Sequence, residues 1–294
     1  MENTNRPSPY LGRANETIEV LRRHNLSAQK RFGQNFLVDE HVIERILELA
    51  DIGEEDLVLE IGPGIGTMTQ YLASKAKRVL CVEVDEKLLP VLSDTLSGWD
   101  NVSVIHQDIL KTDIKALTGG ERAKVVANLP YYITTPILLK LLEEDLPISS
   151  INVMVQKEVA DRMCAGPGSK DYGALSLAVQ YYSNPKKGGI VPPHCFIPRP
   201  KVESALIRLD KYEEPPLSVE SPERLFKLIR ASFNQRRKTL ANGVCNSGLF
   251  QVSRGEVEEI LQSLGFSATI RGEALTLEEF AKVSDLLGKV ESGR

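Results

Sequence analysis

Five short apolar runs between residues 57 and 156 alternate with segments of mostly helical periodicity, and this alternation constrains the fold more than any other feature. Strand-length runs separated by amphipathic helices favour an α/β fold with a doubly wound, mostly parallel sheet. Two later runs, around residues 181–190 and at 205–210, could complete the sheet, one of them as an antiparallel edge. The five predicted strands cover residues 57–62, 78–85, 102–108, 124–130 and 151–156.

A change in composition after the last predicted strand indicates a second domain. Residues 211–223 are acidic and rich in Pro and Ser, which is typical of a boundary between domains. Beyond them only helical patterns remain. The sequence therefore predicts an N-terminal arm of residues 1–26, an α/β domain of residues 27–212 and a small helical domain of residues 213–294.

Composition argues against several classes of protein. With 42% hydrophobic and 26% charged residues among 294, the chain can bury a core and is not wholly disordered. No apolar run approaches the roughly 20 residues of a membrane span, and the polar start lacks the apolar core of a signal peptide. Four cysteines and four histidines show no spacing typical of a metal site. We therefore expect a cytosolic protein without a metal.

A glycine-rich turn follows the first predicted strand and is typical of a ligand-binding loop. Gly62, Gly64 and Gly66 let the backbone approach a ligand closely, at the edge where doubly wound sheets bind cofactors. The spacing G-x-G-x-G departs from the dinucleotide pattern G-x-G-x-x-G, since Thr67 follows the third glycine. Glu60, just before the turn, would repel a pyrophosphate and would suit a cationic amino-acid group.

Two acidic residues at the ends of the next predicted strands extend this prediction. Glu83 ends the second strand, where an acidic side chain commonly binds ribose hydroxyls. Asp108 ends the third strand and could accept a hydrogen bond from an adenine amino group. Together with Glu60, they indicate an adenosine ligand that carries positive charge and no phosphate. S-adenosylmethionine (SAM) has these properties, and its product would be S-adenosylhomocysteine.

The run Asn128-Leu129-Pro130-Tyr131, at the end of the fourth predicted strand, suits the binding of a planar base that bears an amino group. The side-chain oxygen of Asn128 and a backbone carbonyl beside Pro130 can accept both hydrogens of an exocyclic amine. Tyr131 offers one stacking face, and Phe196 is the candidate for the other. The tetrapeptide is also compatible with an ordinary turn, and Phe196 with an ordinary core aromatic.

The charge of the chain is polarised, which favours a nucleic-acid partner despite the net charge of −4. Residues 151–250 carry 15 basic and 9 acidic side chains, whereas residues 1–150 carry 16 basic and 23 acidic ones. Local basic patches matter more for RNA binding than overall charge, although basic runs also occur on ordinary solvated faces. The candidate RNA-binding residues are Arg22, Arg23, Lys30, Arg31, Lys186, Lys187, Arg230, Arg236, Arg237 and Lys238.

Several of these motifs together resemble the ribosomal RNA adenine N6,N6-dimethyltransferases, above all the bacterial small-subunit members, from about Ser27 to the C-terminus. The resemblance implies a class I SAM-dependent methyltransferase fold, Rossmann-like, with seven strands, an antiparallel last pairing and a helical C-terminal domain. It also implies a monomer that dimethylates two adjacent adenosines in a hairpin loop near the 3′ end of 16S rRNA, in the immature small ribosomal subunit. The motifs that carry it are Gln34–Leu37, Glu60–Gly66, Glu83, Asp108, Asn128–Tyr131 and Phe196–Ser204.

The resemblance also implies roles for individual residues. Asn35 and Leu37 would help to close the cofactor site, and Gly62 would lie against the methionine part of SAM. Asn128 would border both the cofactor and the base. The residues implicated in cofactor binding are Gln34, Asn35, Leu37, Glu60, Gly62, Gly64, Gly66, Glu83, Asp108 and Asn128.

Three alternatives remain open at this point. Erm-type 23S rRNA methyltransferases share the glycine loop and the Asn-x-Pro-Tyr run, although segments 131–136, 156–162 and 233–240 are more similar to the small-subunit type. The chain could instead act mainly as a ribosome-assembly factor that binds the immature small subunit. A DNA adenine N6-methyltransferase would use the same chemistry, but the helical tail is small for reading duplex sequence.

Overall fold

The computed structural model describes residues 10–26 and 34–293 and contains a seven-stranded mixed sheet. The strands are β1 (Phe36–Leu37), β2 (Leu57–Ile61), β3 (Arg78–Glu83), β4 (Val102–His106), β5 (Ala123–Asn128), β6 (Ile148–Gln156), β7 (Ser183–Val191), β8 (Phe196–Ile197) and β9 (Ser204–Lys211). The described residues thus form nine strands, of which seven make up this sheet and two, β1 and β8, form a separate pair. The sheet has the order β4-β3-β2-β5-β6-β9-β7. β4, β3, β2, β5 and β6 are parallel, and β9 pairs antiparallel with β6. This confirms the predicted α/β class and its antiparallel pairing.

Local sequence signals fix where several helices begin. The Asp39 carboxylate accepts a hydrogen bond from the Val42 N–H at 3.2 Å and caps the second helix. Thr276 and Glu279 form a reciprocal capping box at the last helix.

Within residues 10–26 and 34–293, every helix is too short or too polar to cross a membrane. The helices are α1 (Ala14–Arg23), α2 (Glu40–Ala50), α3 (Thr67–Lys75), α4 (Leu89–Thr95), α5 (Ile114–Thr118), α6 (Thr134–Glu143), α7 (Lys157–Met163), α8 (Ala174–Tyr182), α9 (Pro222–Asn234), α10 (Leu240–Asn246), α11 (Arg254–Ser263) and α12 (Leu277–Ser292).

The chain divides into two compact units. The first consists of the chain up to Ala160 together with Asn184–Lys211, and it contains the seven-stranded sheet. The second consists of Asp161–Ser183 together with the chain from Tyr212 onward, and it is helical. The sequence analysis places residues 161–183 in the α/β domain, whereas their contacts group them with the helical unit.

Helix α8 is the main element that the sequence analysis misses. The strand predicted from about residue 181 begins only at Ser183, because residues 174–182 are helical. The helix is buried on most sides, so its sequence shows little of the amphipathic periodicity that indicates a helix. The ring of Tyr181 packs edge-on against that of Phe226 in α9, with centroids 5.3 Å apart. Such contacts attach the helix to the helical unit.

A pairing between β1 and β8 joins two segments that are distant in sequence. Phe36 pairs with Ile197 and Leu37 with Phe196, and the Val38 N–H donates to the Cys195 carbonyl at 2.8 Å. This pairing brings the segment before α2 against the glycine loop, where a Cβ at the second glycine would lie 3.4 Å from the Phe36 ring. The sequence analysis does not predict this pairing, because strands of two residues carry no readable periodicity.

Candidate active site

An open cleft lies at the carboxyl edge of the sheet, where β2, β3 and β5 end. Since parallel strands run in the same direction, the residues that follow them meet at one edge. Most predicted cofactor and base-binding residues line this cleft, whereas Gly66 and Phe196 do not. The predicted residues that line it are Gln34, Asn35, Leu37, Glu60, Gly62, Gly64, Glu83, Asp108, Asn128, Leu129, Pro130 and Tyr131.

The glycine loop depends on backbone conformations that favour glycine. Gly62, Gly64 and Gly66 have φ angles of 69°, 63° and 88°, in the left-handed region. A Cβ at Gly62 would meet nothing within 4 Å, so this position leaves open space for a ligand. A Cβ at Gly66 would lie 2.9 Å from Thr95 Oγ1, so the third glycine serves the packing of α3 against α4 instead.

Glu83 holds two loops of the cleft together. Its Oε1 accepts hydrogen bonds from the N–H groups of Val84 and Asp85, at 2.9 and 2.8 Å. Its Oε2 accepts a longer bond of 3.4 Å from the Gly64 N–H. Burial raises the pKa of this carboxyl group, and the backbone hydrogen bonds oppose the rise. Because only a long bond engages Oε2, this atom is the one suited to bind a ligand hydroxyl.

Glu60 is a fully buried carboxyl group at the floor of the cleft, with 0% of its surface exposed. Burial raises its pKa to about 7, and the neighbouring Thr69 hydroxyl and Cys81 thiol oppose this only in part. The thiol donates to Oε2 at 3.5 Å, but Oε1 has no hydrogen-bond partner within the described residues. A buried carboxylate with one unpartnered oxygen is unfavourable, and a cation in the cleft would stabilise it.

Asp108 and Gln34 line the cleft, and a hydrogen bond holds each of their side chains in place. Asp108 Oδ1 accepts a hydrogen bond from the Leu110 N–H at 3.0 Å, which caps the short 3₁₀ turn that follows. Gln34 Nε2 donates to Asp85 Oδ2 at 2.8 Å. The first bond fixes Asp108 in the loop after β4. The second attaches Gln34 to Asp85, in the loop after β3.

The orientation of the Asn128 amide is fixed by a backbone contact. Asn128 Nδ2 lies 3.1 Å from the carbonyl oxygen of Asn35 and donates a hydrogen bond to it. Because a carbonyl can only accept, the side-chain nitrogen must face it. The side-chain oxygen, Oδ1, is therefore directed away from Asn35 and is the acceptor that this residue can offer to a substrate amine.

The backbone after Asn128 provides one further acceptor. The Pro130 carbonyl already accepts hydrogen bonds from the Ile133 N–H at 3.2 Å and from Thr134 Oγ1 at 2.9 Å. The Leu129 N–H donates to the Met154 carbonyl at 3.1 Å, which attaches the run to β6. These bonds leave the Leu129 carbonyl unused, so it is the candidate acceptor beside Asn128 and Pro130.

The aromatic residues differ in their access to the cleft. The Tyr131 hydroxyl lies 3.0 Å from Ser204 Oγ, which fixes its ring at the cleft wall. Phe196 is only 1% exposed and belongs to the hydrophobic core, so its stacking role stays a prediction. Tyr132 lines the cleft and is 58% exposed, although the sequence analysis gives it no role. The adjacent tyrosines, Tyr131 and Tyr132, are the sequence signal that could have indicated a second aromatic residue at the cleft.

The candidate RNA-binding residues differ in how they are engaged. Arg236 is held within its own unit, where it forms an ion pair of 2.9 Å with Glu273. Arg237 and Lys238 are exposed, and neither forms an ion pair within the described residues. Lys30 and Arg31 lie outside the part of the chain that the structure describes. The other predicted residues, all exposed, are Arg22, Arg23, Lys186, Lys187 and Arg230.

Comparison with known proteins identifies the family of this chain. A family model described as ribosomal RNA adenine dimethylase matches residues 25–279. The chain belongs to this family of adenine dimethylases. A relative from Lachnoclostridium phytofermentans, named ribosomal RNA small subunit methyltransferase A, is 60% identical over 95% of this chain and 98% of its own length. A Bacillus pumilus relative of the same name is 50% identical, over 93% and 96% of the two chains.

Solved structures of dimethylases and related enzymes share the fold. A dimethyladenosine transferase from Plasmodium falciparum is 27% identical, with a TM-score of 0.71 over 84% of this chain and 95% of that one. The 23S rRNA methyltransferase ErmE is also 27% identical, with a TM-score of 0.64 over 86% and 100% of the two chains. The family membership and the sheet confirm the expected class I SAM-dependent methyltransferase fold and the expected activity class, an rRNA adenine methyltransferase.

Proposed function

We propose that this enzyme uses SAM to dimethylate N6 of two adjacent adenosines in a hairpin loop near the 3′ end of 16S rRNA. We propose further that it acts as a monomer on the immature small ribosomal subunit. The observation that carries the proposal is the Asn128 amide, whose oxygen is directed away from the Asn35 carbonyl beside a cleft that suits a cationic nucleoside. The names of the most similar relatives support the small-subunit RNA as substrate.

The cleft fits SAM in charge and shape. The buried and unpartnered Oε1 of Glu60 would be satisfied by the cationic methionine part, which lacks the phosphates that this carboxylate would repel. The open space at Gly62 allows a ligand to lie against the backbone. Glu83 Oε2 would accept a hydrogen bond from a ribose hydroxyl, and Asp108 would accept one from the adenine amino group. Bound SAM would supply an electrophilic methyl group on a sulfonium, with a neutral thioether as leaving group.

The residues after β5 would prepare the amine of the target adenine. The N6 lone pair is delocalised into the ring, so the amine is a poor nucleophile. Asn128 Oδ1 and the Leu129 carbonyl would accept its two N–H groups and favour a tetrahedral nitrogen with a localised lone pair. No strong general base is required, because methyl transfer gives a cationic nitrogen that is acidic enough to release its proton to solvent water. One N–H remains after the first transfer, so one acceptor can still orient the second.

A transfer assay on four substrates tests the proposal. Radiolabelled SAM is offered with immature small subunits, naked 16S rRNA, 23S rRNA and DNA, and the labelled nucleosides are identified. We expect N6,N6-dimethyladenosine in 16S rRNA and the highest rate on the particle. Label in 23S rRNA alone would favour the Erm-type activity, and label in DNA would contradict an RNA substrate. An inactive Asn128 variant that still binds immature subunits and delays their maturation would support the assembly role.

Replacing Tyr132 tests whether its exposed ring contacts RNA. Tyr132→Ala should raise the KM for the RNA substrate by roughly tenfold, since stacking of one base on an aromatic ring contributes ~1–3 kcal/mol. Tyr132→Phe retains the ring and should behave like the wild type. The affinity for SAM should be unchanged in both variants. An equal KM in the alanine variant and the wild type would exclude this contact.

Replacing the basic pair Arg237 and Lys238 tests the RNA-binding prediction against a neighbouring matched control. The double alanine variant should reduce the slope of log K against log salt by about 0.7 for each phosphate contact that is lost. Arg236→Ala removes one positive charge, from a residue already paired with Glu273, so it should change thermal stability more than the salt slope. The slope is measured from binding isotherms at several salt concentrations. A double variant with the wild-type slope would count against this surface.

A further inference from the structure

Three metal-binding side chains meet at the β1–β8 pairing, outside the active-site cleft. Asp39 follows β1, and His194 and Cys195 precede β8. One ligand atom from each, namely a carboxylate oxygen, an imidazole nitrogen and the thiol sulfur, lie within 4.8 Å of one another. The sequence analysis expects no metal, because the cysteines and histidines show no spacing typical of a metal site. Asp39 lies far along the chain from the adjacent His194 and Cys195, and the fold brings the three together.

The distance between Cys195 and Asp39 is close to that between two ligands of a zinc site. The Cys195 thiol donates to Asp39 Oδ2 at 3.3 Å, and ligand atoms in tetrahedral zinc sites lie about 3.5 Å apart, given bonds of ~2.0–2.3 Å. Asp39 uses its other oxygen, Oδ1, to cap α2, so the cap and a metal bond do not compete. His194 is exposed, and its imidazole nitrogen lies within 4.8 Å of the other two ligand atoms. Water can complete the fourth position from the solvent side.

The surroundings of the cluster favour a thiolate–metal bond over a free thiolate. Cys195 is buried at 3% exposure, and its sulfur lies 3.3 Å from Asp39 Oδ2. A divalent cation would bind the thiolate and the carboxylate together and offset their charges. Arg45 is the basic residue near the thiol, and its guanidinium is held by the carbonyls of Gly188 and Ile190. Its charge weakens cation binding.

We propose that Asp39, His194 and Cys195 form a Zn²⁺ site that fastens β1 to β8. Thiolate, imidazole and carboxylate together are a donor set that zinc prefers. Binding releases the thiol proton to solvent as the sulfur–zinc bond forms. Since β1 carries Phe36 and Leu37 into the cofactor cleft, zinc would stabilise one wall of that cleft without entering it.

Equilibrium dialysis of the full-length, untagged and metal-stripped protein against ZnCl2 tests the site. We expect one zinc ion per chain in the wild type and none in Cys195→Ser. Asp39→Asn can still cap α2 but supplies a neutral ligand, and it should weaken binding at least tenfold, as should His194→Ala. Co²⁺ in place of Zn²⁺ should give a thiolate-to-metal absorption band that Cys195→Ser lacks. Zinc should also raise the thermal midpoint of the wild type, which reports binding without any methyl-transfer assay.

Matched controls separate a metal site from a fold defect. Cys245→Ser removes a half-buried thiol of the helical unit and should keep full zinc binding. If Cys195→Ser unfolds, the exposed His194→Ala carries the test. A wild type that binds no zinc would overturn the proposal, and so would equal affinities in the wild type and His194→Ala. In that case the Cys195–Asp39 contact is a structural hydrogen bond only.

Discussion

Replacement of Asn128 by alanine is expected to lower the rate of methyl transfer by roughly 10²–10³-fold, while SAM still binds. The Oδ1 atom of Asn128 would accept one N–H of the target amine, and its nitrogen is held by the Asn35 carbonyl at 3.1 Å. Alanine removes both the acceptor and this tether but leaves Glu60 and Glu83, which would bind the cofactor. Single-turnover rates with radiolabelled SAM measure the chemical step, and calorimetry measures SAM binding. A wild-type rate in the variant would refute the assignment.

Asn128→Asp gives a sharper test of the same arrangement. Aspartate retains an acceptor oxygen but would present a second oxygen to the Asn35 carbonyl, which can only accept. The side chain should therefore turn away, and we expect a loss of rate similar to that of alanine. Asn246→Ala, at the exposed end of α10, is the matched control and should keep the wild-type rate. Full activity in Asn128→Asp would show that the amide orientation is not required.

Replacement of Glu60 by glutamine is expected to change stability and cofactor binding in opposite directions. Burial raises the pKa of Glu60 from 4.5 to about 7, so the folded, cofactor-free protein holds a proton that the unfolded chain has lost. The stability from this group is fully present below about pH 4.5 and is lost as pH rises through about 7. At about 1.4 kcal/mol per pKa unit, the loss approaches roughly 3 kcal/mol.

The test compares the pH dependence of the two proteins. From about pH 5 to about pH 8, the wild type should lose several degrees in its thermal midpoint relative to Glu60→Gln, in which this position cannot ionise. In SAM binding the order reverses, since glutamine lacks the negative charge that would hold a cation, and we expect at least a tenfold weaker affinity at about pH 8. Scanning calorimetry and titration calorimetry measure the two effects. Parallel stability curves for both proteins would contradict the ionisation of Glu60.

Much of the cofactor site can be predicted from the sequence because its residues lie at fixed points of a repeating pattern. Glu60, the glycine turn and Glu83 each lie at, or just after, the carboxyl end of an apolar run. Parallel strands bring such ends to a single edge. The structure places Glu60, Gly62, Gly64 and Glu83 in one cleft, as expected. Asn128 follows the same rule, since it ends β5 next to β2.

Other features could not be predicted, because they depend on contacts between distant segments. Phe196 is buried where β8 pairs with β1, opposite Leu37. Tyr132 is exposed because it lies in the turn between β5 and α6. The engagement of Arg236 depends on Glu273, which is not its neighbour in sequence. Helix α8 was misread because a helix buried on most sides has no polar face to reveal its period.

The sequence alone determined the class of sheet, the position of the glycine turn and the position of the Asn128–Tyr131 run, because strand periodicity and glycine spacing are local properties. The tertiary structure decided which side-chain atoms are available for chemistry. It directs the Asn128 oxygen away from the Asn35 carbonyl, leaves Oε1 of Glu60 buried without a partner among the described residues, and brings Asp39 to Cys195. Hydrogen bonding and burial depend on neighbours that the fold supplies, and a linear pattern cannot specify them.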